Sequence, residues 1–252
     1  MPNNRPYRIL VLTDSAANPR SFPASMVVKL EETYPYLLRD EFGESTFYQL
    51  SFGNITTEDL VSQAMSYLTH WNPDFIIVQS GMNDCRPEAF TDAQKAVINR
   101  LSGPLGKIKK YVYLPSMIRR RQISRVSTPS FRKTLKKFKI VFSKSKIFWL
   151  EISAASAYEK ERPGVGRRIA EYNKIIEEVY GDGIVRIQEG ILDVGGHNID
   201  NVHWLASAHR VVADTLIRKI KGQSPIPNFF SRVPVLPTVQ ELVDHQPARR
   251  PL

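Results

Sequence analysis

Residues 76–86, Ile-Ile-Val-Gln-Ser-Gly-Met-Asn-Asp-Cys-Arg, pass abruptly from an apolar run to small polar residues. The apolar part, residues 75–78, has the composition and length of a buried strand. It ends at Ser80-Gly81, where the chain must turn. In a parallel α/β sheet, the loop beyond the carboxyl end of a strand is where ligands bind. Asn83 and Asp84 therefore stand where chemistry is expected. An Asn-Asp pair also serves simply to cap a following helix, so the neighbouring stretches must decide between the two uses.

Upstream, residues 7–12 (YRILVL) read as a first strand followed at once by Thr13-Asp14-Ser15. Residues 25–39 place Met26, Leu30, Tyr34 and Leu37 at roughly helical spacing, with Pro35 bending or dividing that helix. Residues 47–50 form a second short strand closed by Ser51-Phe52-Gly53-Asn54. Thr56 or Thr57 then caps a helix with Glu58 and Asp59 in its first turn, running to about His70 and broken by Asn72-Pro73. Strand, helix, strand, helix, strand implies parallel strands with helical crossovers. The fold class expected is α/β, a three-layer α/β/α doubly wound, mostly parallel sheet of flavodoxin-like type. The polar clusters Asp14-Ser15, Gly53-Asn54 and Gly81-Asn83 would lie along one sheet edge and converge.

Downstream, a helix is expected from Asp92 to about Leu101, and residues 111–114 (YVYL) read as a strand. Residues 119–146 carry a dense basic run. Within it Phe131, Leu135, Phe138 and Phe142 recur with helical period, which predicts an amphipathic basic helix over 130–142. A strand at 147–152, a helix at 167–180 and a short strand at 184–187 follow. Asp200-Asn201-Val202-His203 then precedes a helix over 206–220. Residues 1–222 read as one domain, with the basic helix at about 119–146 as an insertion. Residues 223–252 form a Pro-rich tail, either an extended strap or disordered.

At 252 residues with 42% apolar content, the chain is long enough to bury a full core. One cysteine excludes an internal disulfide and fits a reducing compartment. The first residues lack a signal-like apolar core, so the expectation is a cytoplasmic protein, with peripheral membrane contact kept open. Residues 93–150 hold sixteen Lys and Arg and no acidic residue; the remainder carries 19 basic and 25 acidic residues, a net of about −6 against the whole chain's +10. The basicity thus belongs to one segment. That segment reads first as a solvated helix whose Phe/Leu stripe packs as core. The other readings are a docking face for an anionic substrate or polymer and attachment to an anionic membrane surface. Nucleic acid is not indicated, because the aromatics lie on the apolar stripe and offer no stacking platform.

Four blocks in order, Asp14-Ser15, Gly53, Gly81-Met82-Asn83-Asp84 and Asp200-x-x-His203, resemble those of the SGNH (GDSL-type) hydrolases over about residues 7–220. The Asn-Asp-Cys wording of the third block is similar to members encoded among bacterial surface-polysaccharide genes. One departure is Thr13, where the family usually has Gly. The resemblance implies Ser15 as nucleophile, His203 as base and Asp200 as the group that orients His203. It implies an oxyanion hole from the Ser15 and Gly53 backbone N–H groups and the Asn83 amide. The chemistry agrees: a serine hydroxyl needs a base to take its proton, and the base needs a partner for its other ring nitrogen. A tetrahedral oxyanion needs fixed donors.

Asp14 and Asp84 read as supporting hydrogen-bonders, His197 and His209 as structural, and Cys85 as a small buried residue. No metal-ligand set is evident, and the mechanism needs no cofactor. The expected activity is hydrolysis of an O-acyl, most plausibly O-acetyl, ester on a carbohydrate. An O-acyltransferase would use the same residues. A binding module acting through the basic segment is the non-enzymatic alternative. Oligomeric state is left open.

Overall fold

The apolar runs find their places as five parallel strands in the computed structural model, which describes residues 6–100 and 115–222. Strand β1 (Arg8–Thr13) leads through helix α1 (Tyr34–Glu41) to β2 (Thr46–Ser51). Helix α2 (Thr57–Tyr67) leads to β3 (Phe75–Gln79), which is followed by the short α3 (Met82–Cys85) and by α4 (Asp92–Arg100). Helices α5 (Pro115–Arg121) and α6 (Thr128–Val141) precede β4 (Lys146–Leu150), and α7 (Tyr158–Glu161) and α8 (Val165–Tyr180) precede β5 (Ile184–Val185). Helices α9 (Gln188–Asp193) and α10 (Ala206–Lys221) close the described chain. The sheet order is β2-β1-β3-β4-β5 and every pairing is parallel. This is the flavodoxin-like order of a doubly wound sheet.

Strand periodicity divides the core into two halves. Leu10, Leu12, Ile76, Val78 and Trp149 point to one face, where they meet Leu60 and Ala64 of α2, Phe131 and Leu135 of α6, and Tyr172 and Ile176 of α8. Ile9, Val11, Ile77 and Phe148 point to the other face, against Tyr34 and Leu38 of α1 and Val212 and Leu216 of α10. Successive residues of a buried parallel strand serve opposite faces, so continuous apolar runs are what both layers require.

Several expectations need correction. Residues 25–39 do not form one helix: two single 3-10 turns at Ala24–Met26 and Leu30–Glu32 come first, and α1 begins only at Tyr34. Pro35 thus neither bends nor divides a helix. It stands in the first turn, where its missing N–H has no intrahelical partner to lose. The fourth and fifth strands stop at Leu150 and Val185, sooner than the apolar runs suggest. Beyond Leu150 the chain leaves the sheet, and the Glu151 carboxylate accepts from the backbone N–H groups of Ile187 and Gln188 at 2.5 Å each. Thr56 is the residue that caps α2, its Oγ1 accepting from the Asp59 N–H at 3.2 Å. The strand expected at 111–114 and the tail from 223 lie outside the described residues.

The basic segment behaves as its stripe predicts. Phe131, Leu135 and Phe138 are fully buried and Phe142, just beyond α6, nearly so. On the outer side Lys133, Lys136 and Lys137 stand in solvent, while Arg132 pairs with Glu178 and Lys139 Nζ donates to the Val179 carbonyl at 2.6 Å. Among the described residues, no helix is long and apolar enough to cross a membrane. Phe131→Ala is expected to destabilise the protein by about 3–5 kcal/mol, whereas Lys136→Ala is expected to stay within about 0.5 kcal/mol of wild type. Urea unfolding of both variants checks this, and equal effects would mean that the stripe does not anchor the helix.

Candidate active site

The first candidate loop is shaped by hydrogen bonds around Asp14. Its N–H donates to the Gln79 carbonyl at 3.0 Å, continuing the β1–β3 ladder by one step. Its Oδ1 accepts from the Ala16 N–H at 3.0 Å and from Gln79 Nε2 at 2.7 Å. Asp14 thereby caps the 3-10 turn Ser15–Ala17 and holds Ser15 at the carboxyl end of β1. Burial pushes the Asp14 carboxyl up from the usual range, against these hydrogen bonds and the nearby charges of His203 and Arg20. Thr13 puts its hydroxyl to use: Oγ1 donates to Ser51 Oγ at 2.8 Å, and Ser51 donates on to Asn18. The loops after β1 and β2 are tied together there.

His203 arrives from the far end of the chain. Its Nε2 lies 2.8 Å from Ser15 Oγ, and its Nδ1 lies 2.5 Å from Asp200 Oδ2. The other oxygen of Asp200 accepts from the His203 N–H at 2.9 Å and the Val202 N–H at 3.1 Å. One carboxylate therefore fixes both the ring and the backbone of His203. Partial burial of Asp200 works against its charged form, but these hydrogen bonds and the imidazole hold the carboxyl well below the usual range. The loop is closed by the Asn198 N–H donating to the His203 carbonyl at 2.7 Å and by the Ala155 N–H donating to the Asn201 carbonyl at 2.8 Å. Asn201 takes the left-handed conformation (φ 61°), which Asn tolerates better than most residues.

The third loop needs Gly81. Its φ of 130° is strained for any side chain, and a Cβ there would meet the Ile152 side chain at 2.5 Å. The turn it allows starts α3 directly after the strand and buries Asn83 and Asp84. Asn83 donates from Nδ2 to the Ile55 carbonyl at 3.1 Å, which orients the amide. Asn83 lines the same cleft as Asp14, Ser15, Asp200 and His203, a concavity of about 300 Å³. Gly53 lies on the exposed turn after β2, and the residue from that turn that lines the cleft is its neighbour Asn54. Arg125 Nη1, from the basic segment, donates to the carbonyl and side-chain oxygens of Asn54 at 3.1 and 3.0 Å, holding the turn against the body.

Asp84 points away from the cleft and does structural work. Its two oxygens accept from the Thr57 N–H at 3.0 Å each, and Oδ2 also accepts from Thr57 Oγ1 at 2.9 Å. A carboxylate thus sits on the first turn of α2, where the helix N-terminus favours it. Cys85 is fully buried, and burial pushes its thiol up. His197 and His209, expected to be structural, lie where burial pulls their pKa values down to about 4 and about 3. His209 accepts the Tyr34 N–H at 3.3 Å, and His197 Nε2 lies 3.3 Å from Ser153 Oγ. Among the described residues, no group of three His, Cys, Asp or Glu could hold a metal ion.

Sequence reasoning missed several lining residues. Arg86, Glu151, Tyr158 and Arg162 all line the cleft. Arg20 supports the Ser15 turn, its Nη2 donating to the Ser15 carbonyl at 3.4 Å. No motif or period marks them, and only the adjacency of Arg86 to Asn83-Asp84-Cys85 offered a signal.

No family model and no curated protein matches the chain. Solved structures do. A lipase/acylhydrolase from Enterococcus faecalis aligns with TM-score 0.59 at 16% identity, over 88% of this chain and 99% of that one. The chain shares that structure's α/β fold. An acetyl xylan esterase from Geobacillus stearothermophilus aligns with TM-score 0.57 at 14% identity, over 88% of this chain and 98% of that one. A psychrotrophic esterase from Pseudoalteromonas sp. follows at TM-score 0.52 and 15% identity, over 86% and 97%. At such identities the likeness is one of fold.

Burial, opposed by the Thr57 hydrogen bonds, raises the Asp84 pKa to about 7. A carboxyl whose folded pKa lies above its unfolded value near 4 contributes stability that is fully present below about pH 4 and lost as pH rises through about 7. Asp84→Asn is therefore expected to flatten the decline in Tm between about pH 4 and 7. An unchanged Tm–pH slope in calorimetry would show that Asp84 titrates normally.

Proposed function

We propose that this chain is a serine ester hydrolase acting on a short acyl ester, with Ser15 as nucleophile, His203 as general base and acid, and Asp200 as its orienting carboxylate. The observation that carries the reading is the unbroken line from Ser15 Oγ to His203 Nε2 (2.8 Å) and from His203 Nδ1 to Asp200 Oδ2 (2.5 Å) at the floor of an open cleft. Nucleophile, base and orienting group at hydrogen-bond distance are the signature of an activated hydroxyl. The esterase and acylhydrolase titles of the similar structures favour the same chemistry. The acetyl xylan esterase among them makes an acetyl ester on a carbohydrate the substrate class to test first.

In this mechanism Ser15 Oγ attacks the ester carbonyl while its proton passes to His203 Nε2. Asp200 keeps the Nδ1 proton in place and stabilises the imidazolium that forms. The developing oxyanion is received by the Ser15 N–H and the Nδ2 of Asn83. The His203 proton goes to the departing alcohol oxygen as the carbonyl re-forms and the C–O bond breaks. Water then attacks the acyl-serine, losing a proton to His203, and Ser15 leaves with that proton as the free acid departs.

With p-nitrophenyl acetate, Ser15→Ala and His203→Ala are each expected to lower kcat by about 10³-fold or more. A rate that survived Ser15→Ala would sink the mechanism. Asn83→Ala is expected to lower kcat by about 10²–10³-fold with little change in KM, the mark of a donor used mainly in the transition state. A pure KM effect would instead make Asn83 a ground-state binding residue.

A further inference from the structure

One wall of the cleft carries charge that the ester chemistry does not use. Arg86, Tyr158 and Arg162 line it. Behind them stands Glu88, whose side chain is only 4% exposed. Arg86 reaches Glu88 Oε1 through Nε at 3.0 Å and Nη2 at 2.9 Å. Arg162 Nη1 takes the other oxygen at 3.1 Å, and Lys95 Nζ approaches Oε1 at 3.7 Å. The backbone of Glu88 is itself fixed, donating to and accepting from Ile123 at 2.7 and 3.0 Å. One buried carboxylate thus anchors two guanidiniums, while Lys95 is itself bonded to Asp92 at 3.0 Å. The two arginine side chains keep about a quarter of their surface open, 24% for Arg86 and 23% for Arg162. Both also interact with the Tyr158 hydroxyl, itself nearly buried.

The other carboxylates of the cleft are engaged elsewhere. Asp14 is buried on Ala16 and Gln79, and Asp200 is bound to His203. Glu151 is held by the backbone N–H groups of Ile187 and Gln188 and by Arg186. Glu161 lies out in solvent, accepting from Asn201 Nδ2 at 3.1 Å, where screening is strongest. At the Arg86–Tyr158–Arg162 wall, positive charge exceeds negative. Two rigid guanidinium forks held from behind by a carboxylate are a preorganised receptor for a planar anion.

Resting on the esterase reading above, we propose that Arg86 and Arg162 select esters whose alcohol portion carries a carboxylate or comparable anion, as an acidic sugar does. The buried Glu88 positions both guanidiniums, and Tyr158 adds a hydroxyl to the same wall.

The test uses 4-acetoxybenzoate and its neutral counterpart 4-acetoxybenzamide. Each enzymatic kcat/KM is divided by that ester's uncatalysed hydrolysis rate. Wild type is expected to favour the anionic ester by about tenfold at low ionic strength, the effect of one well-placed charge pair. The preference is expected to shrink as salt is raised. Arg86→Gln and Arg162→Gln are each expected to bring the ratio towards one, with the change carried by KM for the anionic ester. A wild-type ratio near one, or a preference untouched by both substitutions, overturns the proposal while leaving the esterase reading standing. No hydrolysis of either ester or of p-nitrophenyl acetate brings down the esterase reading itself. The salt series on wild type keeps the test decisive if either variant fails to fold.

Discussion

Strand β1 is hydrogen-bonded along both edges, to β2 on one side and β3 on the other, with Leu12 level with Leu50 and Val78. That double pairing fixes where β1 ends relative to its neighbours. The loops that follow the three strands must therefore emerge side by side. Asp14 extends the pairing one residue past the strand through Gln79, so Ser15 is placed by the same ladder that holds the core. The cleft is thus a property of sheet register before it is a property of any side chain.

Helix α10 supplies the second constraint. Its apolar face, with Ala208, Val212 and Leu216, packs with α1 on the face opposite α6 and α8. The loop before it therefore reaches the carboxyl edge of the sheet from a separate layer. A residue 188 positions from Ser15 is brought to hydrogen-bond distance by packing that involves neither of them. Substitutions in that layer can thus disturb the site without touching it.

Much of this was legible in the sequence, for definite reasons. Apolar strands bounded by polar turns gave the alternation, and alternation constrains parallel topology closely. The Phe131–Leu135–Phe138 stripe was read as core because its period matches a helix face, and it packs there. Asp200 and His203 were singled out through the family resemblance, and the fold brings their side chains within 2.5 Å. Residues 25–39 were misread because helical spacing of apolar residues does not reveal where the first turn can close, and Pro35 suits a beginning better than an interior. The cationic wall was invisible because Arg86, Glu88 and Arg162 meet through tertiary contacts across 74 positions of chain. Gly53 was legible as a turn residue, yet the residue of that turn that lines the cleft is Asn54.

The loop from Asn198 to His203 has a consequence of another kind. Because Asp200 binds the ring and the main chain of His203 together, imidazole and carboxylate form one unit with its own internal alignment. What joins this unit to Ser15 is one contact, from hydroxyl to ring nitrogen at 2.8 Å. The alignment inside the pair is therefore held by bonds separate from the one that reaches Ser15.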